Sequence, residues 1–393
     1  MKSILIINAG SSSVKFQTFS VVDADKGLRR EIRGQLDGVG TSPHLKANSG
    51  DGLTKVNCDC DRAKVRDVSI ALEIVEEWLR SNAKMRPDAI GHRVVHGGAE
   101  YDSPVLIDAR VVERLESFTP LAPLHQPHNL AGIRTFGRTL PGVPQVACFD
   151  TAFHRQHSRL ADIYAIPERF LAHGIRRYGF HGLSYEYIAA KLTEIAPAIA
   201  KKKLIVAHLG NGASMCGLDN GRSVESTMGF TALDGIPMGT RPGQTDPGVI
   251  LFLMKNLGLS VKELEYTLYH ESGLKALSGI SSDMRALELS GDDHAGFAID
   301  YFVYRIAMHT GMLAAAMGGF DGFVFTGGIG ENSPRIRAKV IRRLEWLGAE
   351  LDVGANQEQA GLVSASASRI PVYVIPTDEE LMIARHTMAM LSH

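Results

Sequence analysis

An α/β fold of two domains with a duplicated core is predicted, and three stretches of the chain carry the prediction. Ile4-Leu5-Ile6-Ile7 runs into Asn8-Ala9-Gly10-Ser11-Ser12-Ser13. Leu204-Ile205-Val206-Ala207 runs into His208-Leu209-Gly210-Asn211-Gly212. Phe323-Val324-Phe325 runs into Thr326-Gly327-Gly328-Ile329-Gly330-Glu331-Asn332. Each reads as a buried strand ending in a small, glycine-rich polar turn. Such turns let backbone N–H groups approach phosphate oxygens with no side chain in the way. Three of them imply a duplicated nucleotide-handling core.

Bulk properties narrow the class. A chain of 393 residues can bury a large core and is expected to form two domains. A formal net charge of −1 favours neither nucleic acid nor an anionic membrane. The basic runs Arg29-Arg30, Arg176-Arg177 and Lys201-Lys202-Lys203 are short and read as solvated surface. The cysteines are Cys58, Cys60, Cys148 and Cys216, too few for a disulfide scaffold. Cys58 and Cys60 lack the spacing and the second ligand pair of a zinc site. A reducing compartment fits, and the cytoplasm is expected. The apolar run after Lys2 stops at Asn8, short of a signal peptide. The stretch Phe297 to Met317 contains Asp300, Arg305 and His309, so a buried helix is expected there rather than a membrane span.

Taken in order, the opening strand and its turn lead to a second strand at 14–19, a hairpin unlike a Rossmann unit or a P-loop. Residues 36–61 read as an excursion with short strands. Val68, Leu72, Val75, Trp78 and Leu79 have helical spacing over 67–80. A strand and turn follow at 88–98, then a helix at 109–118, a helix at 129–140, and a strand at 143–149 that delivers Asp150. A boundary is expected just after Asp150. In the second half, helices are expected at 246–257, 261–270, 283–290, 294–317 and 335–346, and a strand at 372–376. The last helix, 379–391, is expected to return to the first domain. The domains are therefore 1–150 with about 379–393, and 151–378.

Candidate chemistry sits at strand ends. The Asn8 amide and the hydroxyls of Ser11–Ser13 suit phosphate or a metal-bound water. Arg93 and Arg241 lie in uncharged sequence and can grip a carboxylate or phosphate through two parallel bonds. The alternative for both is a buried structural ion pair with a nearby acid, of which Asp150 is the best. Asp150 and Glu379 can hold a metal beside triphosphate, a pairing that would need the two domains to face one cleft. His125 and His181 are candidate donors, and His92, His96, His154 and His208 are alternatives that pattern alone leaves open. There is no His-Glu-x-x-His zinc motif and no Gly-x-Ser-x-Gly elbow.

These residues closely resemble the acetate kinase family. The match runs through Asn8 to Lys15, Gly91 to Gly98, Phe149 to His154, Arg177 to Gly182, His208 to Gly212, Ser226 to Thr231, Met238 to Arg241, Phe325 to Asn332 and Thr377 to Glu380. The resemblance implies a duplicated ribonuclease-H-like fold, the actin-like ATPase or ASKHA class, with two domains around a nucleotide cleft. It implies ATP + acetate ⇌ ADP + acetyl phosphate by direct in-line transfer, with Mg²⁺ or Mn²⁺, in a homodimer. By motif position, Asn8 and Glu379 resemble metal-site residues. Arg93 and Arg241 resemble the pair that flanks acetate and the phosphoryl group, and Asp150 an orienting catalytic residue. His181 and His125 resemble donors to the transferring group. Lys15, His208, Asn211, Gly212, Asp283, Met284, Arg285, Gly328, Ile329, Gly330 and Asn332 resemble the nucleotide cradle. Val95, Leu124, Phe180 and Ala232 resemble an apolar wall for the acetate methyl.

Three positions depart from the family pattern. Ala232 stands where Pro is frequent, which enlarges the wall and makes propionate the competing substrate. Gln244 replaces a usual Asp. Asp378 replaces a common Asn, as a second carboxylate near the metal or, the favoured reading, as a helix cap. A different class, a conformational ATPase of actin or chaperone type, would hydrolyse ATP without needing paired arginines for a carboxylate acceptor. A sugar kinase would use Asp150 as a base.

Overall fold

The computed structural model describes residues 3–23, 27–83 and 85–391. Met1 and Lys2, which open the leader reading, and the last two residues of the first domain's return segment lie outside them. The chain divides into two compact units, Met1–Phe153 with Asp378–His393, and His154–Thr377.

The first unit holds an eight-stranded sheet in the order β5-β4-β3-β2-β1-β6-β8-β7. Its strands are β1 (Ser3–Ala9), β2 (Ser13–Asp23), β3 (Gly27–Asp37), β4 (His44–Ser49), β5 (Thr54–Asp59), β6 (Ala89–Val94), β7 (Val105–Leu106) and β8 (Gln145–Phe149). The second unit holds a five-stranded sheet in the order β11-β10-β9-β12-β13. Its strands are β9 (Leu204–Leu209), β10 (Ala213–Asp219), β11 (Arg222–Ser226), β12 (Gly322–Thr326) and β13 (Val372–Val374).

The two sheets share one plan. β2 runs antiparallel to β1 and β3, while β1, β6 and β8 are mutually parallel. Likewise β10 runs antiparallel to β9 and β11, while β9, β12 and β13 are parallel. In both cores the first strand is central and only the second is reversed. This is a ribonuclease-H-like unit, present twice. The central strands are buried on both faces, which is why β1 and β9 read as unbroken apolar runs.

Helices cover the sheets. Val68–Ser81 starts on Asp67, whose carboxylate accepts the Ile70 N–H, and it buries Val68, Ala71, Leu72, Val75 and Leu79. These join Leu5, Ile7, Phe16 and Leu36 in the first unit's core. The terminal helix Glu379–Leu391 packs on β1, β6 and β8. In the second unit the long helix Asp293–Met317 is capped by Asp292 and ends at Gly318 in the left-handed region. It buries Phe302, Ile306, His309 and Leu313. Among the described residues no helix is long and apolar enough to cross a membrane.

Several elements differ from expectation. The helix expected from 129 starts at Gln126, because Pro127 is accepted in a first turn where its missing N–H costs nothing. The third glycine-rich stretch is no open turn: β12 passes directly into a helix, Gly327–Asn332. The segment expected as helix to 270 is α-helical only over Val261–Tyr266, and a π turn, Thr267–Glu271, follows. Arg30 and Arg176 are not simply solvated. Arg30 pairs with Asp378 and Arg176 with Asp162, and Arg177 reaches Asp234 at 3.3 Å.

Gly91 marks where β6 meets the terminal helix. A Cβ there would lie 2.4 Å from Thr387 Oγ1 and 2.6 Å from Ile383 Cγ2. Gly91→Ala is therefore expected to destabilise the protein by about 1–3 kcal/mol through overpacking. Urea unfolding monitored by circular dichroism measures this.

Candidate active site

In the first unit the candidate side chains come from the ends of adjacent parallel strands and from the start of the terminal helix. Arg93 lies on β6 and Asp150 just past β8, and the 93↔148 and 94↔149 pairing brings them side by side. Arg93 Nε donates to Asp150 Oδ1 at 3.0 Å, and Arg93 NH2 donates to Oδ2 at 2.5 Å. Arg93 NH1 donates to Asn8 Oδ1 at 3.3 Å, from the end of β1. Glu379 Oε2 stands 3.9 Å from Arg93 Nε. Lys15 is opposite Asn8 in the β1–β2 register. Asn8, Arg93, Asp150 and Glu379 thus form one cluster inside one unit. The pairing of Asp150 with Glu379 needs no second domain, because the terminal helix belongs to the first unit.

Charge in this cluster is unbalanced. Burial works against the Arg93 charge, but Asp150 and Glu379 more than compensate and raise its pKa. Glu379 is the surplus acid. Burial, opposed by Arg93 but reinforced by Asp150 and Glu380, pushes its carboxyl up to about 7. Asp378 acts as a cap: its Oδ1 accepts the Leu381 N–H at 3.1 Å, and its other oxygen meets Arg30. Gln17 also holds this segment, accepting from Arg30 at 2.6 Å and donating to Glu380 at 3.2 Å.

Val95 is buried, and its N–H donates to Asn129 Oδ1 at 2.9 Å. Asn129 Nδ2 donates to the Ala9 carbonyl at 2.9 Å, so one amide ties the ends of β1 and β6. Leu124 and His125 lie at the entry of the helix Gln126–Thr139, where His125 is the N-cap.

In the second unit a different group assembles. His181 is the N-cap of the helix Gly182–Ile195 at φ 56°. Its Nδ1 lies 2.9 Å from Ser214 Oγ, and its ring stacks on His208 at 4.3 Å. His208 Nδ1 bonds Ser184 Oγ at 2.8 Å. Arg241 NH1 donates to the Ala232 carbonyl at 2.8 Å. A Cβ built at Gly212 would sit 3.2 Å from Arg241 NH2 and 3.5 Å from His181 Nε2, so both donors converge above that glycine. Burial, opposed by Tyr269, pulls the Arg241 guanidinium below its ordinary value. Among the described residues no carboxylate lies within ion-pair distance of Arg241.

The turn after β9 approaches the helix after β12. A Cβ at Gly210 would lie 3.9 Å from the Gly328 nitrogen. Asn332 Nδ2 donates to the Gly328 carbonyl at 2.9 Å. Gly239 N–H donates to the Asn211 carbonyl at 3.1 Å. Asp283 caps the helix Met284–Leu289 and pairs with the exposed Arg285. Met284 is 3% exposed and belongs to the core. Phe180 is buried beside His181.

Comparison with known proteins gives this geometry a family. The sequence model of the Acetokinase family matches residues 3–385. The chain belongs to the acetokinase family. An acetate kinase of Nitrobacter hamburgensis is 59% identical over 391 residues, covering 100% of this chain and 96% of that one. An acetate kinase of Rhizobium meliloti is 54% identical, over 100% of this chain and 99% of that one. The solved acetate kinase of Porphyromonas gingivalis superposes with a TM-score of 0.87 at 37% identity over 100% of both chains. A propionate kinase from Francisella tularensis superposes with a TM-score of 0.91 at 36% identity, also over 100% of both.

Some supports of this acetokinase site escape sequence reading. Arg337 is fully buried and donates to the carbonyls of Gly330 and Glu331 at 2.9 and 2.8 Å, and to Asn356 Oδ1 at 2.7 Å. It terminates the helix that carries the third glycine-rich stretch. Glu331 Oε1 accepts from Gly327 N–H at 2.8 Å and Thr377 N–H at 3.0 Å. For Asn129 a signal existed: a polar residue on the buried face of a helix. For Arg337 there was none, since its partners are mostly backbone carbonyls. Arg337→Ala would leave those carbonyls unsatisfied. The expected loss is at least about 2 kcal/mol in urea unfolding, with faster amide exchange over residues 327–332.

Proposed function

We propose that this protein transfers a phosphoryl group reversibly between ATP and the carboxylate of acetate, forming acetyl phosphate and ADP. The observation that carries this reading is Arg241: a half-buried guanidinium with no acid within ion-pair distance among the described residues, converging with His181 over Gly212. Such a group is an anion site. A carboxylate is already a nucleophile, so the reaction needs alignment and charge stabilisation rather than a strong base.

Arg241 and His181 stabilise charge on the transferring phosphoryl group, with His125 as a further donor. Arg93, held in plane by Asp150, grips the acceptor carboxylate. Val95, Leu124, Phe180 and Ala232 bound the acceptor's apolar end. Lys15, His208, Asn211, Gly212, Asp283, Arg285, Gly328, Ile329, Gly330 and Asn332 hold the nucleotide. Met284 contributes by packing beneath that cradle, since its side chain is buried.

The family implies ATP and a divalent cation. The donors of the first unit fit Mg²⁺: an amide oxygen from Asn8 and a surplus carboxylate from Glu379 beside Asp150 are hard oxygen ligands. The cation, when bound, neutralises phosphate charge. Glu379's raised pKa marks a place where positive charge is wanted.

A homodimer and a cytoplasmic location complete the reading. Phe297, Tyr304, Met308 and Met312 form an exposed apolar stripe on the helix Asp293–Met317, whose opposite face is core. A second copy of the chain covers that stripe.

With Mg-ATP and a panel of formate, acetate, propionate and butyrate, hydroxylamine is expected to trap most hydroxamate with acetate. Hydrolysis of ATP with no trapped product from any acid would reject the reading in favour of a conformational ATPase. Arg241→Ala is expected to lower kcat/KM for acetate by about 10²–10³-fold, and unchanged carboxylate-dependent turnover would contradict its role. Propionate kinase is the second reading, favoured by the small Ala232. Ala232→Pro is expected to raise the preference for acetate over propionate by about tenfold in the same assay.

A further inference from the structure

Four side chains of the second unit that take no part in the proposed reaction are linked by hydrogen bonds in its interior. His154 is fully buried. Its Nδ1 lies 2.7 Å from Ser223 Oγ, and its Nε2 lies 3.0 Å from the Phe180 carbonyl oxygen. His157 Nε2 lies 2.6 Å from the same serine oxygen, and Cys216 Sγ lies 3.2 Å from it.

Elimination places the protons. A carbonyl only accepts, so His154 Nε2 carries a hydrogen. Burial, aided by the nearby His157, pushes the His154 pKa down to about 3, so the ring is neutral and Nδ1 is an acceptor. Ser223 has one proton and gives it to that nitrogen. Its oxygen then accepts from His157 Nε2. The bonds run one way, from His157 to Ser223 to His154, and end on a main-chain carbonyl.

That carbonyl belongs to the peptide that enters His181. His181 has φ 56°, a left-handed conformation that is unfavourable for a residue with a Cβ. Such a conformation persists only where the surroundings over-determine it. His154 supplies two of the constraints. It bonds the Phe180 carbonyl, and its ring fills the space beside Gly179, where a Cβ would lie 2.5 Å from His154 Cγ.

We propose that His154 is a positioning residue for the phosphoryl transfer: its Nε2–H fixes the Phe180 carbonyl, and so the backbone that aims His181 with Arg241 over Gly212. The inference rests on the reading of His181 as a donor to the transferring group.

Two replacements separate the nitrogens of His154. In His154→Gln the side-chain amide reaches the position of Nε2 and can still donate to Phe180. In His154→Asn it reaches only the position of Nδ1. The purified full-length variants are compared for thermal midpoint, kcat, and KM for ATP and acetate. His154→Asn is expected to lower kcat by about 10- to 100-fold, the cost of a small misplacement, with both KM values within about twofold of the parent. His154→Gln is expected to recover most of that loss. In a His181→Ala background, His154→Asn is expected to cost almost nothing more, because it acts through His181.

Equal losses in the two replacements, or a full additional loss on top of His181→Ala, would overturn the proposal while leaving His181 in the reaction. Unchanged kcat in His181→Ala would instead refute the reading on which the proposal rests. If His154→Asn does not fold, His154→Gln decides: with the donor to the Phe180 carbonyl kept, its kcat is expected to stay within about threefold of the parent at unchanged KM. A 10- to 100-fold loss of kcat in His154→Gln would then overturn the proposal.

Discussion

The ion pair between Arg93 and Asp150 governs the electrostatics of the first unit. Asp150 is 1% exposed, and a carboxylate so buried survives only when paired and hydrogen-bonded. The fork of Arg93 satisfies both of its oxygens and leaves NH1 for Asn8. With that pair neutralised, Glu379 is left as excess negative charge. The second unit has the opposite imbalance, because Arg241 is a half-buried cation with no acid within ion-pair distance among the described residues. One unit is thus prepared for a cation and the other for an anion. Metal-nucleotide chemistry asks for both.

The backbone makes these charges possible. Arg93 and Asp150 are neighbours because parallel strands put their C-terminal ends side by side, and the chain leaves β6 and β8 at the same edge. Open α/β sheets gather ligands at such edges. Asn129 then locks two of these ends together with a single amide. Asp378 and Arg30 lock the start of the terminal helix, so the position of Glu379 is set before any ligand arrives. In this chain the Asn-to-Asp change at 378 gains an ion pair and keeps the cap.

Much of the fold was legible because its central strands are buried on both faces. Continuous apolar runs at β1, β9 and β12 need no periodicity argument, and polar residues at their ends stand out. The positions of Asn8 and Asp150 were read in this way, whereas Arg93 and Arg241 stood out as arginines in uncharged sequence. The helix Gly182–Ile195 was not, since it begins at a left-handed histidine with no capping side chain. β4 and β5 are the short strands expected within the excursion over 36–61, though the exposed, polar β5 gave no alternation from which to place its bounds. Arg337 and the His154–Ser223 relay were invisible for another reason. They bind mostly backbone carbonyls or hydroxyls, and such partners leave no residue-type pattern in the sequence.

The first unit is closed by the last segment of the chain, Asp378–His393, whereas the second is a single uninterrupted stretch, His154–Thr377. During synthesis the order of completion is therefore reversed. The unit that begins first must wait, with the face of β1, β6 and β8 uncovered, until the terminal helix leaves the ribosome. Glu379 arrives with that helix. A chain released before residue 379 keeps Arg93 and Asp150 but lacks the acid that unbalances their charge, so it does not carry the complete first-unit cluster.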